Sequence, residues 1–392
     1  MADDNRSRSA RLVVACLLGA SAGWAITAPG AGARVLAAAY ETDLLWVGLM
    51  SAALAAPYAA LQLPAGVLVD RWGVRRATTA GLSLVLLAHV VALITPESSI
   101  ALVARLLSGV GFAVCFVSGA ELARSSGWGS RGMGVFGGVA LAASGASVLG
   151  VALTEPTLDW RASWATSAVA SAAALLGTAL LRELPTQRAH DAPTEVATSP
   201  PALHHDGELL RLAAIHAATL GLGLVLSTWA STLLLELWSF PAAAAALVGS
   251  MVLGLSVISR PLGGQVATVR PGVIRPLWAI TLVVCALSTL ALAAVGPGAV
   301  AIAGVIALGI FSGLPFAAVV QAAQARQPVR RAAAVGLMNT IAFGLVVVGT
   351  PAVGWAVDHD HARAALVTIA ILWLMPLLAL PTPPTVQQPQ PA

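Results

Sequence analysis

The sequence predicts an all-α membrane protein whose twelve transmembrane helices form two halves of six. Three observations predict this: 58% of the 392 residues are hydrophobic, only 10% are charged, and long apolar runs recur throughout the chain. The mean hydropathy of +0.86 is too high for a water-soluble domain with a charged surface. A spanning helix needs about 20 apolar residues, so the chain has room for about twelve spans and for no large soluble domain.

Each predicted span is an apolar run between charged or Pro/Gly-rich breaks. Spans 1 to 6 cover residues 12–33, 44–69, 77–95, 100–121, 132–154 and 161–181. Spans 7 to 12 cover residues 209–233, 242–266, 274–295, 298–324, 332–357 and 362–380. Arg6, Arg8 and Arg11 before the first run are typical of a signal peptide, but eleven further runs favour an uncleaved first span.

The remaining segments are polar. Residues 1–11 are predicted to be a cytoplasmic N-terminus, and residues 183–208 a cytoplasmic linker between two bundles at 12–182 and 209–380. The tail, residues 381–392, is rich in Pro and Gln, and we expect it to be disordered.

The arginines predict the orientation of the chain. All 21 basic residues are arginine, and with the N-terminus inside, 17 of them fall on cytoplasmic segments. Arg34, Arg161 and Arg363 fall outside, and Arg105 falls within a span. Because cytoplasmic loops retain positive charge, we expect both termini to lie on the cytoplasmic side of the membrane. The membrane is expected to be the cytoplasmic membrane of a prokaryote. The same scatter excludes a nucleic-acid-binding face.

The two halves resemble each other in sequence. Identical residues recur 202 positions apart in spans 4 and 5 and in spans 10 and 11, as the pairs Gly111 and Gly313, Arg124 and Arg326, and Gly134 and Gly336. At an offset of 198, Gly66 of span 2 meets Gly264 of span 8 and Gln62 meets Arg260. Such repeats are common in transporters, whose solute site lies near the bilayer midplane between the repeats.

The loop after span 2 carries the sharpest motif, with the residues Gly66, Asp70, Arg71, Gly73, Arg75 and Arg76. It resembles the signature of the major facilitator superfamily, at the position where that family carries it, and the resemblance extends over essentially the whole chain. It implies a fold of two pseudo-symmetric six-helix bundles. It also implies that Asp70 and Arg124 latch the cytoplasmic gate while the cavity faces outward.

The residues themselves allow two interpretations of this motif. Gly66 is expected to let two helices approach closely, and Asp70 is expected to lie against the N-terminal end of a helix. The arginines Arg71, Arg75 and Arg76 are equally well explained as positive-inside anchors. In the second half, Thr268 occupies the aspartate position, so a second latch is expected to be weak or absent.

Arg260 is the strongest substrate-binding candidate. Counted back from Thr268, it lies about 12 Å into the membrane, where the half-thickness of the hydrocarbon is about 15 Å. A charge at that depth indicates function, unless the helix ends earlier and Arg260 is an interfacial cation. Further cavity candidates with polar groups are Gln62, Trp24, Trp229, Gln321 and Asn339.

Three residues are candidates for coupling transport to a proton. Arg105 opens a run with Gly109 and Gly111 that is similar to the family's second motif, although an arginine there can also extend to the interface. His216 is a candidate because an unperturbed histidine titrates in the right range, although it also suits helix packing, and Glu121 lies near the inner end of span 4. No mid-membrane carboxylate is expected.

These features favour a secondary transporter of a small organic or inorganic anion that works by alternating access. The alternative is a proton-coupled efflux antiporter for drugs or metabolites. No enzyme, cofactor, metal site or nucleic-acid partner is expected, since the spans contain no polar catalytic cluster. The expected partners are a small solute, with or without a co-transported proton, and the lipid bilayer, and the protein is expected to be a monomer.

Overall fold

The computed structural model describes residues 2–181, 203–294, 296–328 and 330–381, which fold as helices joined by short turns. The first half contains six spans. They are Ala2–Ala31 (span 1), Leu44–Ala60 with Gln62–Trp72 (span 2), Val74–Ala92 (span 3), Ser98–Ser125 (span 4), Gly129–Leu158 (span 5) and Arg161–Leu180 (span 6). A short helix, Ala33–Ala39, connects spans 1 and 2.

The second half repeats this arrangement. Its spans are Gly207–Trp238 (span 7), Ala242–Val269 (span 8), Ile274–Ala293 (span 9), Gly298–Arg326 (span 10), Arg331–Asp358 (span 11) and Ala362–Ala379 (span 12). By length and composition, eleven segments of the described chain are able to cross a membrane. Counting the bent pair Ala33–Ala39 and Leu44–Ala60, which meet at 104°, as one span makes twelve.

Two segments are more helical than the sequence suggested. The first helix begins at Ala2, within the predicted N-terminal segment 1–11. Span 7 begins at Gly207, because the Asp206 side chain caps it by accepting from the Leu209 amide. Residues 182–202 of the predicted linker region and 382–392 of the tail lie outside the described residues.

Span 8 is broken at Leu255. Three further spans are interrupted, and their sequence explains two of these breaks. Pro64 follows the break at Leu61 in span 2, and Pro315 lies in the break of span 10, where each proline removes a helical hydrogen bond. Span 7 contains a π-helical segment, Ala217–Leu222, a rare geometry that often occurs at functional sites. All three interruptions lie beside residues that line the central cavity described below.

The two halves contact each other through symmetry-related helix pairs. Span 1 packs on span 7, span 2 on span 11, and span 5 on span 8. Glycines allow this approach: a Cβ atom on Gly354 of span 11 would overlap the backbone of Leu44 in span 2. Likewise, a Cβ on Gly145 of span 5 would overlap the backbone of Gly254 in span 8. The helices therefore meet at backbone distance, as small residues permit in membrane proteins.

Candidate functional site

A cavity of about 250 Å³ lies between the two halves. Spans 1, 2, 4 and 5 line it from the first half, and their repeat equivalents, spans 7, 8, 10 and 11, line it from the second. The lining is largely apolar, with a small number of polar side chains on the second half, and this is the usual composition of a small-molecule site. The cavity is therefore the candidate functional site.

Arg260 of span 8 supplies the charge of this cavity. Its side chain is 6% exposed, and its Nη1 donates a 3.3 Å hydrogen bond to the carbonyl oxygen of Gly137 in span 5. The guanidinium carbon lies 3.7 Å from the centre of the Phe316 ring, a cation–π geometry. The Nε of Arg260 is buried and has no hydrogen-bond partner. Arg260 is thus a cavity residue and not an interfacial cation.

A polar pair lies beside Arg260. His216 of span 7 and Asn339 of span 11 are joined by a 2.9 Å hydrogen bond between Nε2 and Oδ1. Asn339 lines the cavity, and the His216 ring lies 6.1 Å from the Phe316 ring that Arg260 covers. Gln321, one turn and a half after Phe316 on span 10, also lines the cavity and is exposed. Three helices of the second half therefore present polar groups around one arginine.

The first half contributes aromatic rings. Tyr58 of span 2 lies 5.7 Å from Phe116 of span 4, and Phe116 lies 5.1 Å from Phe136 of span 5. Phe343 of span 11 completes the group at 4.6 Å from Tyr58. We call these four residues the aromatic wall. All four line the cavity.

The cavity is accessible from the end of the bundle that carries most of the loop arginines, which we call the arginine-rich end. Gln321 and Met133 of the lining are exposed there, near the helix ends at Arg326 and Arg131. The opposite end is closed by an ion-pair bridge between the halves. Arg34 contacts Glu236 of span 7 at 2.8 Å and Asp358 of span 11 at 3.1 Å.

Asp358 also ties the bridge to span 2. Its second carboxylate oxygen accepts from the backbone N–H of Leu44, the first residue of that helix. The sequence placed Asp358 in an outer loop, whereas in the structure it is the last residue of span 11. There its carboxylate contacts both Arg34 and the start of span 2. The three residues Arg34, Glu236 and Asp358 form what we call the outer bridge.

The motif after span 2 lies at the arginine-rich end. Asp70, Arg71, Arg75 and Arg76 are exposed, and Asp70 makes no ion pair with any described residue. Gly73 has φ of +79°, a left-handed conformation that glycine adopts without strain between spans 2 and 3.

The expected close helix contact at Gly66 is absent here. A Cβ on Gly66 would meet no other heavy atom within 4 Å. Arg124 pairs with Glu121 one turn earlier on its own helix, with the Nε and Oε2 atoms 2.9 Å apart. The expected latch between Asp70 and Arg124 is therefore not formed in this structure.

Several sequence candidates lie outside the cavity lining. The Trp24 indole donates to Thr166 of span 6, and the buried Trp229 indole donates to the carbonyl of Thr350. The Gln62 amide donates back to the Tyr58 carbonyl of its own helix. Each polar group is thus satisfied by packing contacts within the bundles.

Arg105 also lies away from the cavity. It is buried between spans 2 and 4, and its Nε donates to the carbonyl of Met50 at 3.0 Å. Among the three coupling candidates, only His216 contacts a residue that lines the cavity.

The aromatic wall, Phe316 and the outer bridge were not predicted from the sequence. A signal existed for the bridge: Arg34 is one of three outer arginines, and Glu236 and Asp358 are among the acidic residues nearest the membrane. The rings gave no signal, because aromatic residues in uniformly apolar helices do not reveal which face points inward.

The fold and the motif agree with comparisons to known proteins. The sequence matches the family model of the Major Facilitator Superfamily over residues 13–350. A crystal structure of the nucleoside transporter NupG, determined as a point mutant, superposes with a TM-score of 0.74 and 15% sequence identity, covering 95% of this chain and 98% of that one. No curated protein matches the sequence. From the family match, the chain is a multi-pass membrane protein of the major facilitator superfamily and a transporter, not an enzyme.

Proposed function

We propose that the protein is a secondary active transporter that carries a small anion through the bilayer by alternating access, with Arg260 as the anion-binding group. The observation that carries this proposal is the buried Arg260 guanidinium in the cavity wall, whose Nε has no partner. The NupG likeness, at 15% identity, supports the fold alone and does not bring a nucleoside substrate to this chain.

The electrostatics of the cavity favour an anion. A buried charge is costly unless it is paired and hydrogen-bonded. Phe316 and the Gly137 carbonyl offset part of this cost for Arg260, but neither carries a negative charge. None of the described residues that line the cavity is acidic. An anionic solute would therefore supply the missing counter-charge, whereas a cation would meet repulsion.

The remaining binding residues follow from the same cavity. Asn339 and Gln321 are proposed to bind the polar edge of the solute, because both line the cavity with Arg260. Gln62, Trp24 and Trp229 keep a supporting role in helix packing in this state.

Two gates are proposed to alternate. In the structure the outer bridge is formed, and Asp70 is exposed and makes no ion pair with a described residue. This is expected for a cavity that faces the arginine-rich end. In the opposite state, Asp70 would approach the N-terminus of span 11 and the outer bridge would separate. The distribution of arginines supports a cytoplasmic location for the arginine-rich end, for both termini and for the linker between the bundles.

The alternative is proton-coupled efflux of an apolar drug or metabolite. The observation that favours it is the apolar and aromatic lining of the cavity. His216 would serve as the titrating group in either case, since it bonds Asn339 beside Arg260. The alternative predicts that solutes without negative charge bind as well as anions.

Solute flux in proteoliposomes tests the proposal. Wild-type protein is expected to exchange labelled organic or inorganic anions across the membrane, and Arg260→Gln is expected to lose this exchange by about tenfold or more, because a charge-assisted hydrogen bond of about 1.5–3 kcal/mol is removed. Arg161→Gln is a matched control, since Arg161 lies at the opposite end and outside the cavity lining. Equal transport of neutral or cationic solutes by wild type and Arg260→Gln would favour the alternative.

A further inference from the structure

The cavity has two unlike groups of lining side chains, and this narrows the chemistry of its solute. One group is Arg260 with Phe316, Asn339 and Gln321, and the other is the aromatic wall of Tyr58, Phe116, Phe136 and Phe343. The inference drawn from this rests on the proposed function, and it concerns which anions the site accepts.

Phenylalanine and tyrosine rings are over-represented in the cavity. The chain has seven Phe, two Tyr and eleven Trp, and five of the nine Phe and Tyr rings but none of the Trp rings are among the described residues that line it. Aromatic side chains of a membrane protein are otherwise free to face lipid, so this concentration marks the cavity as a surface for apolar or aromatic groups.

The two groups are linked by short stretches of helix. Phe136 directly precedes Gly137, whose carbonyl accepts from Arg260. Asn339 and Phe343 are four residues apart on span 11 and therefore share a face of that helix. A solute held at Arg260 and Asn339 would thus place the rest of its body against the aromatic wall.

The size and charge of the cavity favour a bulky monoanion over small or doubly charged inorganic oxyanions. Its volume of about 250 Å³ is about eight times the liquid volume of one water molecule. A small oxyanion would leave much of this space to water against apolar rings. Arg260 is also the only charged side chain among the described lining residues, so a dianion would leave an uncompensated negative charge.

We infer that the solute is an organic monoanion with an aromatic or other bulky apolar body, whose anionic group binds Arg260 and whose body packs on the aromatic wall. A monocarboxylate is the simplest solute of this class. Its charge neutralises one arginine, and its oxygens accept from the guanidinium and from the amides of Asn339 and Gln321.

Thermal stabilisation of the purified full-length protein tests this inference, because a ligand that binds the folded state raises its apparent melting temperature. The probes are benzoate and phenylacetate, with acetate, nitrate and sulfate as anions that lack the aromatic body and benzamide as the neutral analogue. At equal concentration and ionic strength, benzoate and phenylacetate are expected to raise the melting temperature more than every other probe.

Two variants locate the body of the solute. Phe343→Leu is expected to weaken benzoate binding about two- to tenfold, because an aromatic contact of about 0.5–1.5 kcal/mol is lost. Phe311→Leu is the matched control on span 10, since Phe311 does not line the cavity. Comparison of the probes on the wild type alone decides the inference where a variant fails to fold.

The outcomes separate this inference from the proposed function. If acetate, nitrate or sulfate stabilises the wild type as well as benzoate does, and Arg260→Gln loses that effect, the inference is overturned while the anion transporter stands. If benzamide or the cation tetraphenylphosphonium stabilises wild type and Arg260→Gln equally and benzoate stabilises neither, both are overturned. Failure of benzoate and phenylacetate to stabilise the wild type also overturns the inference.

Discussion

Two buried arginines in this chain differ in what surrounds them. Arg105 is 1% exposed and ties span 4 to the Met50 carbonyl of span 2, away from the cavity. Arg260 is nearly as buried, but it lies in the cavity wall and carries a cation–π contact with Phe316. Burial inside the helix bundle is therefore shared by both residues, and the neighbouring cavity distinguishes the binding candidate from the packing residue.

His216 is expected to carry the proton if transport is proton-coupled. His216→Gln retains a side chain that donates to Asn339 Oδ1 but removes the titrating group. The variant is expected to keep solute exchange and to lose accumulation driven by a pH gradient, which flux assays in proteoliposomes measure with and without the gradient.

His89→Gln is the matched control for this experiment, because His89 is buried in span 3 and does not line the cavity. Unchanged accumulation by His216→Gln would mean that the coupling group lies elsewhere and that His216 serves helix packing.

At the scale of helices, the closed end depends on contacts between spans of different halves. The outer bridge connects the short helix Ala33–Ala39 to the ends of spans 7 and 11, and Gly354 lets span 11 lie against span 2. Arg34 and Glu236 are about half exposed, so each ion pair stabilises the closed end by less than a buried pair would.

Loss of the outer bridge is expected to shift the conformational equilibrium. Arg34→Gln removes two ion pairs, which together contribute about 1–2 kcal/mol, so the outer-closed state is expected to lose about five- to thirtyfold in relative population. Spin labels are attached at Ala38→Cys and Ser239→Cys in a background without the three native cysteines. Double electron–electron resonance then measures the distance between the two labels, and so the separation of the halves.

A population with a longer distance between the two spin labels is expected in Arg34→Gln and not in Arg161→Gln. Arg161 is an outer arginine that contacts Trp160 and the Leu93 carbonyl within the first half only. Identical distance distributions in all three proteins would show that the outer bridge does not hold the halves together.

The two ends of the molecule differ: the end with the outer bridge is closed, and the arginine-rich end is open. The halves meet at the outer bridge and separate around the cavity at the arginine-rich end, where Asp70 is exposed and Arg124 pairs within its own helix. Asp70 therefore contributes little to the state described here, and its proposed role lies in the state with the opposite end open.

Asp70→Asn tests that role. A carboxylate at a helix N-terminus stabilises by about 0.3–1 kcal/mol, so the variant is expected to favour the present state by up to about fivefold. Transport is expected to slow while the melting temperature and solute binding stay unchanged. Asp360→Asn, an exposed aspartate in the outer loop, is the control. A loss of binding in Asp70→Asn alone would contradict a gating role.

The helical membrane fold, the approximate limits of the spans, the family motif and the prominence of Arg260 could all be predicted from the amino-acid sequence. They follow from hydropathy and spacing, which are local properties of the chain. The helix faces that line the cavity became visible in the folded bundle alone, because apolar helices in a bilayer carry no clear polar face. The folded structure thus excluded Trp24 and Trp229 from the lining and brought in Phe316, Tyr58 and Phe343. It also joined Arg34 to Asp358, whose separation of 324 positions along the chain no local pattern encodes.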